Sequence, residues 1–139
     1  MEIIANELQT VLENQNVLFT DTVVPGKACT MHRTGSGLVS LKGLTNQCRA
    51  RFKVSFGANI GLPTGGAVEA ISLALAISGE PVAATTMIST PAAVEEFNNV
   101  FSSIFLDVPR GCCFSVSVVN TSEQDIDVQN ANLIVERVA

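Results

Sequence analysis

The sequence predicts an all-β chain, an antiparallel two-sheet jelly-roll sandwich of about ten strands, led by a short N-terminal arm, helical or extended. Three observations predict it. Short apolar runs recur along the chain, separated by turn signals such as Pro25-Gly26, Gly35-Ser36-Gly37, Gly65-Gly66 and Ser78-Gly79. Crossover helices, which parallel strands need, have no matching pattern. The stretch Cys48–Ile60 alternates strictly: Cys48, Ala50, Phe52, Val54, Phe56, Ala58 and Ile60 share one face, and Arg49, Arg51, Lys53, Ser55, Gly57 and Asn59 share the other. That is a strand with one dry and one wet face.

In chain order, residues 2–13 carry Ile4, Leu8, Val11 and Leu12 at helical spacing. Residues 1–16 are therefore set apart as an arm, a short helix or a mobile anchor, and 17–139 as the jelly-roll domain. Val17–Val24 reads as a strand ended by Pro25-Gly26. Ala28–Arg33 and Leu38–Leu41 are two short strands. After Cys48–Ile60, the segment 61–66 turns the chain into Val68–Ile77. There Ile71, Leu73, Leu75 and Ile77 alternate with Ala70, Ser72, Ala74 and Ala76. Neither face is suited to water, so the sequence predicts a central strand covered twice: by a facing sheet, and on its small-residue face by another chain. Val82–Thr90 reads as a strand and 90–96 as a loop. Strands follow at about Phe97–Leu106 and Cys112–Val119, then a short one at Asp125–Val128 and a closing one at Asn132–Val138.

Composition narrows the function. Among 139 residues, 47% are hydrophobic and 15% charged, against about 25% charged in ordinary soluble proteins. Oligomer burial is the simplest way to cover the excess apolar surface. Net charge is −5, which disfavours nucleic acid or an anionic membrane as partner. Trp and Tyr are absent, which argues against a stacking platform. No run reaches the roughly 18 apolar residues of a membrane span. The opening Met1-Glu2-Ile3-Ile4 lacks the form of a signal peptide, so the expectation is synthesis in a cytosol, where the chain stays or which it leaves by assembly or lysis.

The segments 52–60 (FKVSFGANI), 70–82 (AISLALAISGEPV), 107–120 (DVPRGCCFSVSVVN) and 130–138 (NANLIVERV) resemble, in their order and lengths, the tumour-necrosis-factor/complement-type jelly roll. The wording is also similar to small phage- or gut-Firmicutes-associated trimeric proteins and to the tips of bacterial collagen-like spore glycoproteins. The resemblance implies a homotrimer whose inner sheet packs round a threefold axis. Ala70, Ser72, Ala74, Ala76, Ser115 and Ser117 are then the expected trimer interface. It also implies that the long outer strand neighbours the short penultimate one, setting Arg49, Arg51 and Lys53 beside Glu123, Asp125 and Asp127 as a charge ladder. The expected role is a non-enzymatic structural and binding module, a phage or cell-surface knob that recognises a host glycan or protein through loops at one end. The alternatives are a secreted cytokine-like trimer that binds a host receptor and, further off, a cupin-type enzyme.

Side chains that carry chemistry are few. His32 is the single histidine, with no second imidazole to complete a metal site or a cupin cluster. No nucleophile elbow, P-loop or H-E-x-x-H occurs. Glu95-Glu96 are adjacent and diverge on an extended chain, unlike a glycosidase pair. Asp125-x-Asp127 supplies two carboxylates where calcium takes six to eight oxygens. No cofactor, metal or catalytic residue is expected. Cys29, Cys48, Cys112 and Cys113 show no C-x-x-C spacing. They read as buried or half-buried free thiols, with a Cys29–Cys48 or Cys48–Cys112 disulfide left open. Only Arg110 lies near Cys112-Cys113 to activate a thiolate.

Overall fold

A computed structural model describes residues 1–26, 30–42, 49–111 and 113–139. The strands are β1 (Glu2–Ala5), β2 (Gln9–Val11), β3 (Asp21–Val24), β4 (Thr30–His32), β5 (Val39–Lys42), β6 (Arg49–Gly61), β7 (Ile71–Ile77), β8 (Glu80–Pro81), β9 (Met87–Ser89), β10 (Phe97–Pro109), β11 (Cys113–Asn120) and β12 (Ile126–Arg137). They form two antiparallel sheets. The front sheet runs β10-β6-β12-β1-β3, with β2 also on β12; the back sheet runs β4-β5-β11-β7-β8, with β9 also on β7. The all-β sandwich is as the turn spacing predicts.

Alternation decides which side chains meet between the sheets. Ala50, Phe52, Val54, Phe56, Ala58 and Ile60 of β6 face inward and are at most 1% exposed. They pack with Ile71, Leu73 and Leu75 of β7, Val116 and Val118 of β11, and Leu133 and Val135 of β12. Phe19 stands edge-on to Phe56, with ring centroids 6.3 Å apart and planes at 83°, the geometry that aromatic quadrupoles favour. At the end of β6, a Cβ on Gly61 would lie 2.6 Å from the carbonyl oxygen of Glu96. A glycine there lets the chain entering β10 pass close.

The N-terminal segment is not an arm. β1 pairs with both β12 and β3, and β2 pairs with β12. Ile3, Ala5 and Val11 belong to the core, so the sandwich begins at residue 2. The helical stripe is split: Leu8 and Leu12 are 53% and 55% exposed, Ile4 is half-buried and Val11 lies in the core. Burial follows the two-residue period of Ile3 and Ala5 instead. Residues 14–19 then close one side of the sandwich. Val17 N–H donates to the carbonyl of Val118 at 2.8 Å and Phe19 N–H to that of Ser36 at 3.3 Å.

Three strand expectations change. Val82–Thr90 divides into β8, a 3-10 turn at Ala83–Thr85 and β9. The cause is Thr85, buried at 0% exposure. Its hydroxyl accepts from Leu75 N–H at 3.0 Å and donates to the carbonyl of Val82 at 2.7 Å, replacing ladder bonds with a turn. Val17–Val24 is a strand only over Asp21–Val24. The separate strands at 125–128 and 132–138 are one, β12, interrupted by a bulge between Gln129 and Asn132. Asn130 holds that bulge at φ 55°, a left-handed value that asparagine tolerates.

Candidate functional site

The outward face of the front sheet carries the most unusual surface of the molecule. Along β10, Phe97, Asn99, Phe101, Ser103, Phe105 and Asp107 share the face opposite Val100 and Val108, which are buried. Phe101 and Phe105 are each 66% exposed, and Phe97 and Ile134 are 37% and 38% exposed. Phe101 is level with Gly57 on β6. A Cβ on Gly57 would sit 3.6 Å from the Phe101 ring, so the phenyl group lies over a strip of bare backbone.

Polar rows separate the aromatic ones. Asn99 Nδ2 donates to Asn59 Oδ1 at 3.1 Å, and Asn59 Nδ2 to Asn130 Oδ1 at 3.3 Å. Asn130 Nδ2 donates on to the carbonyl of Asn6 at 3.4 Å. The hydroxyls of Ser55 and Ser103 meet at 2.9 Å. Asn132 donates to the Glu2 carboxylate. At the lower edge Arg51 makes a forked pair with Asp107, Nε to Oδ1 at 2.8 Å and Nη2 to Oδ2 at 3.2 Å. That hydrogen bond first, and the carboxylate charge second, raise the Arg51 guanidinium above its ordinary value. These groups satisfy one another within the sheet, so the face can be covered without stranding them.

The sequence-predicted interface lies on the other sheet. β7 is flanked by β11, β8 and β9 in the back sheet. Ala74 and Ala76 are each 1% exposed and Ser117 is 2% exposed. Short side chains level with Val119, Ser117 and Pro81 are already sunk among their neighbours and offer little to a second chain. Ser72 and Ser115 are half-buried and Ala70 is exposed; the Ser72 hydroxyl bonds that of Thr121 at 2.6 Å. The small-residue face is thus largely filled within one protomer.

The charge ladder is also corrected. β6 and β12 are antiparallel, so the start of β12 meets the end of β6, and Asp127 is level with Gly61. Arg49, Arg51 and Lys53 lie at the opposite end. Arg51 pairs with Asp107 of β10, and Lys53 is level with Phe105 and Glu136. Asp127 instead accepts from the Thr10 hydroxyl at 2.8 Å, and Asp125 from Glu13 N–H at 3.3 Å.

The remaining candidates have structural partners. His32 Nε2 is 2.9 Å from the carbonyl of Ser36 and must donate to it, which leaves Nδ1 to accept from the Thr22 hydroxyl at 3.1 Å. Cys113 is free and exposed rather than buried. The disulfide alternatives involve Cys29, Cys48 and Cys112, which lie outside the described residues. Among the described residues, no three or more His, Cys, Asp and Glu side chains converge to hold a metal, and no helix is long and apolar enough to cross a membrane.

At the end of the sandwich where β6 stops, the segments 12–15, 62–70, 90–96 and 121–125 come together. Gln124 ties two of them: its Oε1 accepts from Ala67 N–H at 3.0 Å and its Nε2 donates to the Ala67 carbonyl at 2.9 Å. Thr64 donates to Glu95 at 2.7 Å. A groove of about 250 Å³ lies beside Gly65, Gly66 and Gln124. These segments contain Glu13, Glu69, Glu95, Glu96, Glu123 and Asp125 and neither lysine nor arginine. Their field repels anions.

Two solved structures share this architecture. The globular domain of zebrafish complement 1qA superposes with a TM-score of 0.64 at 15% identity, covering 96% of this chain and 93% of that one. Eiger TNF from S. frugiperda gives 0.66 at 15% identity, covering 100% of this chain and 92% of that one. The fold is therefore the complement/tumour-necrosis-factor type of jelly roll. No family model matches the chain, and no curated protein matches it.

The sequence carried a signal for the aromatic face. A strand with Val100, Ile104 and Val108 on one side and Phe97, Phe101 and Phe105 on the other is apolar twice over. The core explains only the first set. The double-burial reasoning applied to 68–77 bears more directly on β10, whose large rings are exposed, whereas Ala74 and Ala76 are already buried.

Proposed function

We propose that this chain is a non-enzymatic binding module that works as a homotrimer, assembled through the outward face of the front sheet. One observation carries the reading: Phe97, Phe101, Phe105 and Ile134 stand exposed together on a regular sheet. Burying each phenyl group contributes about 1.5–3 kcal/mol. The low charge content of the sequence supports the same conclusion. In such an assembly the acidic loop end, 62–70 with 90–96 and 121–125, lies beyond the Phe97 end of the aromatic row and offers its groove to a ligand. Its charge favours a neutral glycan or a cationic protein surface over an anionic glycan. Displayed as a knob on a virion or cell surface, it would meet a host through these loops.

The double variant Phe101→Ser, Phe105→Ser tests the face. Both side chains are two-thirds exposed, so the fold should survive, with an unchanged far-ultraviolet circular dichroism spectrum. The mass in solution at micromolar concentration should fall from that of the wild-type trimer to one chain. A double variant that remains trimeric would remove this face from the interface.

A further inference from the structure

Charge is divided between the two ends of the sandwich. Six of the eight lysines and arginines, Lys42, Arg49, Arg51, Lys53, Arg110 and Arg137, belong to the end where β6 begins and β5, β10 and β12 stop. The loop end, where β6 stops, holds the acidic side chains named above and neither lysine nor arginine. β6 runs for 13 residues, so the two ends stand about 40 Å apart at the usual rise of a strand. At physiological salt a charge is screened over about 8 Å. A ligand at one end therefore feels that end alone, and the net charge of −5 does not describe the basic one.

Register places the basic residues. On the front sheet Arg49 is level with Pro109, Arg51 with Asp107, Lys53 with Phe105 and Glu136, and Arg137 with Phe52. On the back sheet Lys42 is level with Cys113. Arg110 stands exposed on the turn from β10 to β11, three residues before Cys113. At most about 10 Å of chain thus separates it from the rung of Lys42. Acids at this end are fewer and mostly answered. Asp107 is held in the forked pair with Arg51, and Glu136 is level with Lys53. Glu2 is level with Ile134, further up the sheet, and takes the Asn132 amide. Glu80 is on β8, three strands from β5, about 14 Å away at the usual strand spacing. Arg137 Nε donates to the Ala139 carbonyl at 3.1 Å. Lys42 and Arg110 have no ion-pair partner among the described residues.

We propose that this end is a docking surface for a carboxylate-rich segment of a partner protein, a run of Asp and Glu side chains. A guanidinium group takes a carboxylate through two parallel hydrogen bonds. The Arg51–Asp107 fork, at 2.8 and 3.2 Å, holds one in that way on this same end. Arg110 offers the same fork, and Lys42 a point charge, to a carboxylate from outside. The surface lies at the opposite end from the loop groove, so both can be engaged at once. It is present in one chain or in three, and a monomeric wild type leaves it standing.

The probe is a fluorescent oligoglutamate peptide, titrated with the full-length chain at low salt and followed by anisotropy. Binding should saturate and weaken as salt rises. Affinity should fall about fivefold in Arg110→Glu and by a similar factor in Lys42→Glu, each a reversed charge at the surface. Arg33→Glu is the control. Arg33 follows His32, which is level with Val39 and so up the sheet from Lys42. It changes the net charge by the same amount as Arg110→Glu and should bind as wild type. An equal loss in all three variants, or no loss in any, overturns the assignment to this end. A wild type that ignores the peptide overturns the proposal outright. Binding of heparin or of phosphatidylserine vesicles in its place would make the occupant a sulfated glycan or a lipid surface. Arg137→Glu replaces whichever variant loses its circular dichroism spectrum.

Discussion

Phe56→Ala is expected to destabilise the chain by about 3–5 kcal/mol, the range for truncating a fully buried phenylalanine. Phe56 is 0% exposed at the middle of β6. It lies level with Ser102 of β10 on one side and Leu133 of β12 on the other, with Phe19 edge-on at 6.3 Å. Alanine removes the ring and leaves a cavity walled by two sheets. The surroundings are poorly placed to collapse into it, because β6 is pinned along 13 residues. A domain of this kind holds about 5–15 kcal/mol in all, so the variant gives up about a fifth of its stability or more. Urea unfolding at fixed protein concentration measures the loss, as a lower midpoint at unchanged slope. A loss below about 1 kcal/mol would mean that Phe56 is not packed as described.

Asn120→Ala should cost nearly as much, for a different reason. Asn120 is 0% exposed. Its Nδ2 donates to the carbonyls of Val11 at 3.0 Å and Gln124 at 2.9 Å, and its Oδ1 accepts from Ser122 N–H at 2.9 Å. One amide thus joins β2, the end of β11 and the turn into β12. Alanine strands three backbone groups, each costing about 1–3 kcal/mol when left buried and unpaired, so the expected loss is about 3 kcal/mol after partial rehydration. Asn120→Asp adds a signature of its own. A carboxylate facing two carbonyls is repelled, so the folded state keeps the proton and the folded-state value rises above the ordinary one. The folded chain then binds more protons than the unfolded chain above about pH 4, and stability falls as pH rises through that point. An Asn120→Asp variant that gains stability with rising pH would contradict the described hydrogen bonds.

Much of this fold was legible in residue order. The strict alternation of 48–60 located β6 to within a residue at either end, because a sheet with one dry face leaves a period-two imprint. β11 was legible for the same reason. The N-terminus was not, because Ile4, Leu8 and Leu12 fall four apart by coincidence with a helical turn. Leu8 and Leu12 are exposed and mark a surface strip, whereas the short alternation of Ile3 and Ala5 was too brief to outweigh it. β12 was divided at Asn130 because a bulge asparagine is the same signal as a turn asparagine. The partner strands of β6 were not legible at all. Pairing depends on chain reversal over long separations, and the basic residues of β6 gave no hint that Asp107 rather than Asp127 stands beside Arg51.

The site was half legible. Double apolar faces and a low charge content pointed to assembly, and both hold as descriptions of the sequence. Neither pointed to the front-sheet face on which the proposed assembly rests. Small residues satisfy two environments equally, the interior of a protomer and a tight contact between protomers, so Ala74, Ala76 and Ser117 did not discriminate. Exposed phenyl groups do discriminate, since water around a ring is unfavourable in either state but one. The front sheet combines such rings with asparagine and serine rows that are already hydrogen-bonded. That combination fits a surface made to be covered. The internally paired polar rows lower the desolvation cost of covering it, because none loses its partner.

Sedimentation equilibrium of the unmodified full-length chain across a micromolar concentration series tests this most directly. A single species near three times 14.6 kDa, holding that mass on dilution, is the expected result. A chain that sediments at 14.6 kDa throughout the series, with Phe101 and Phe105 left in water, would contradict it.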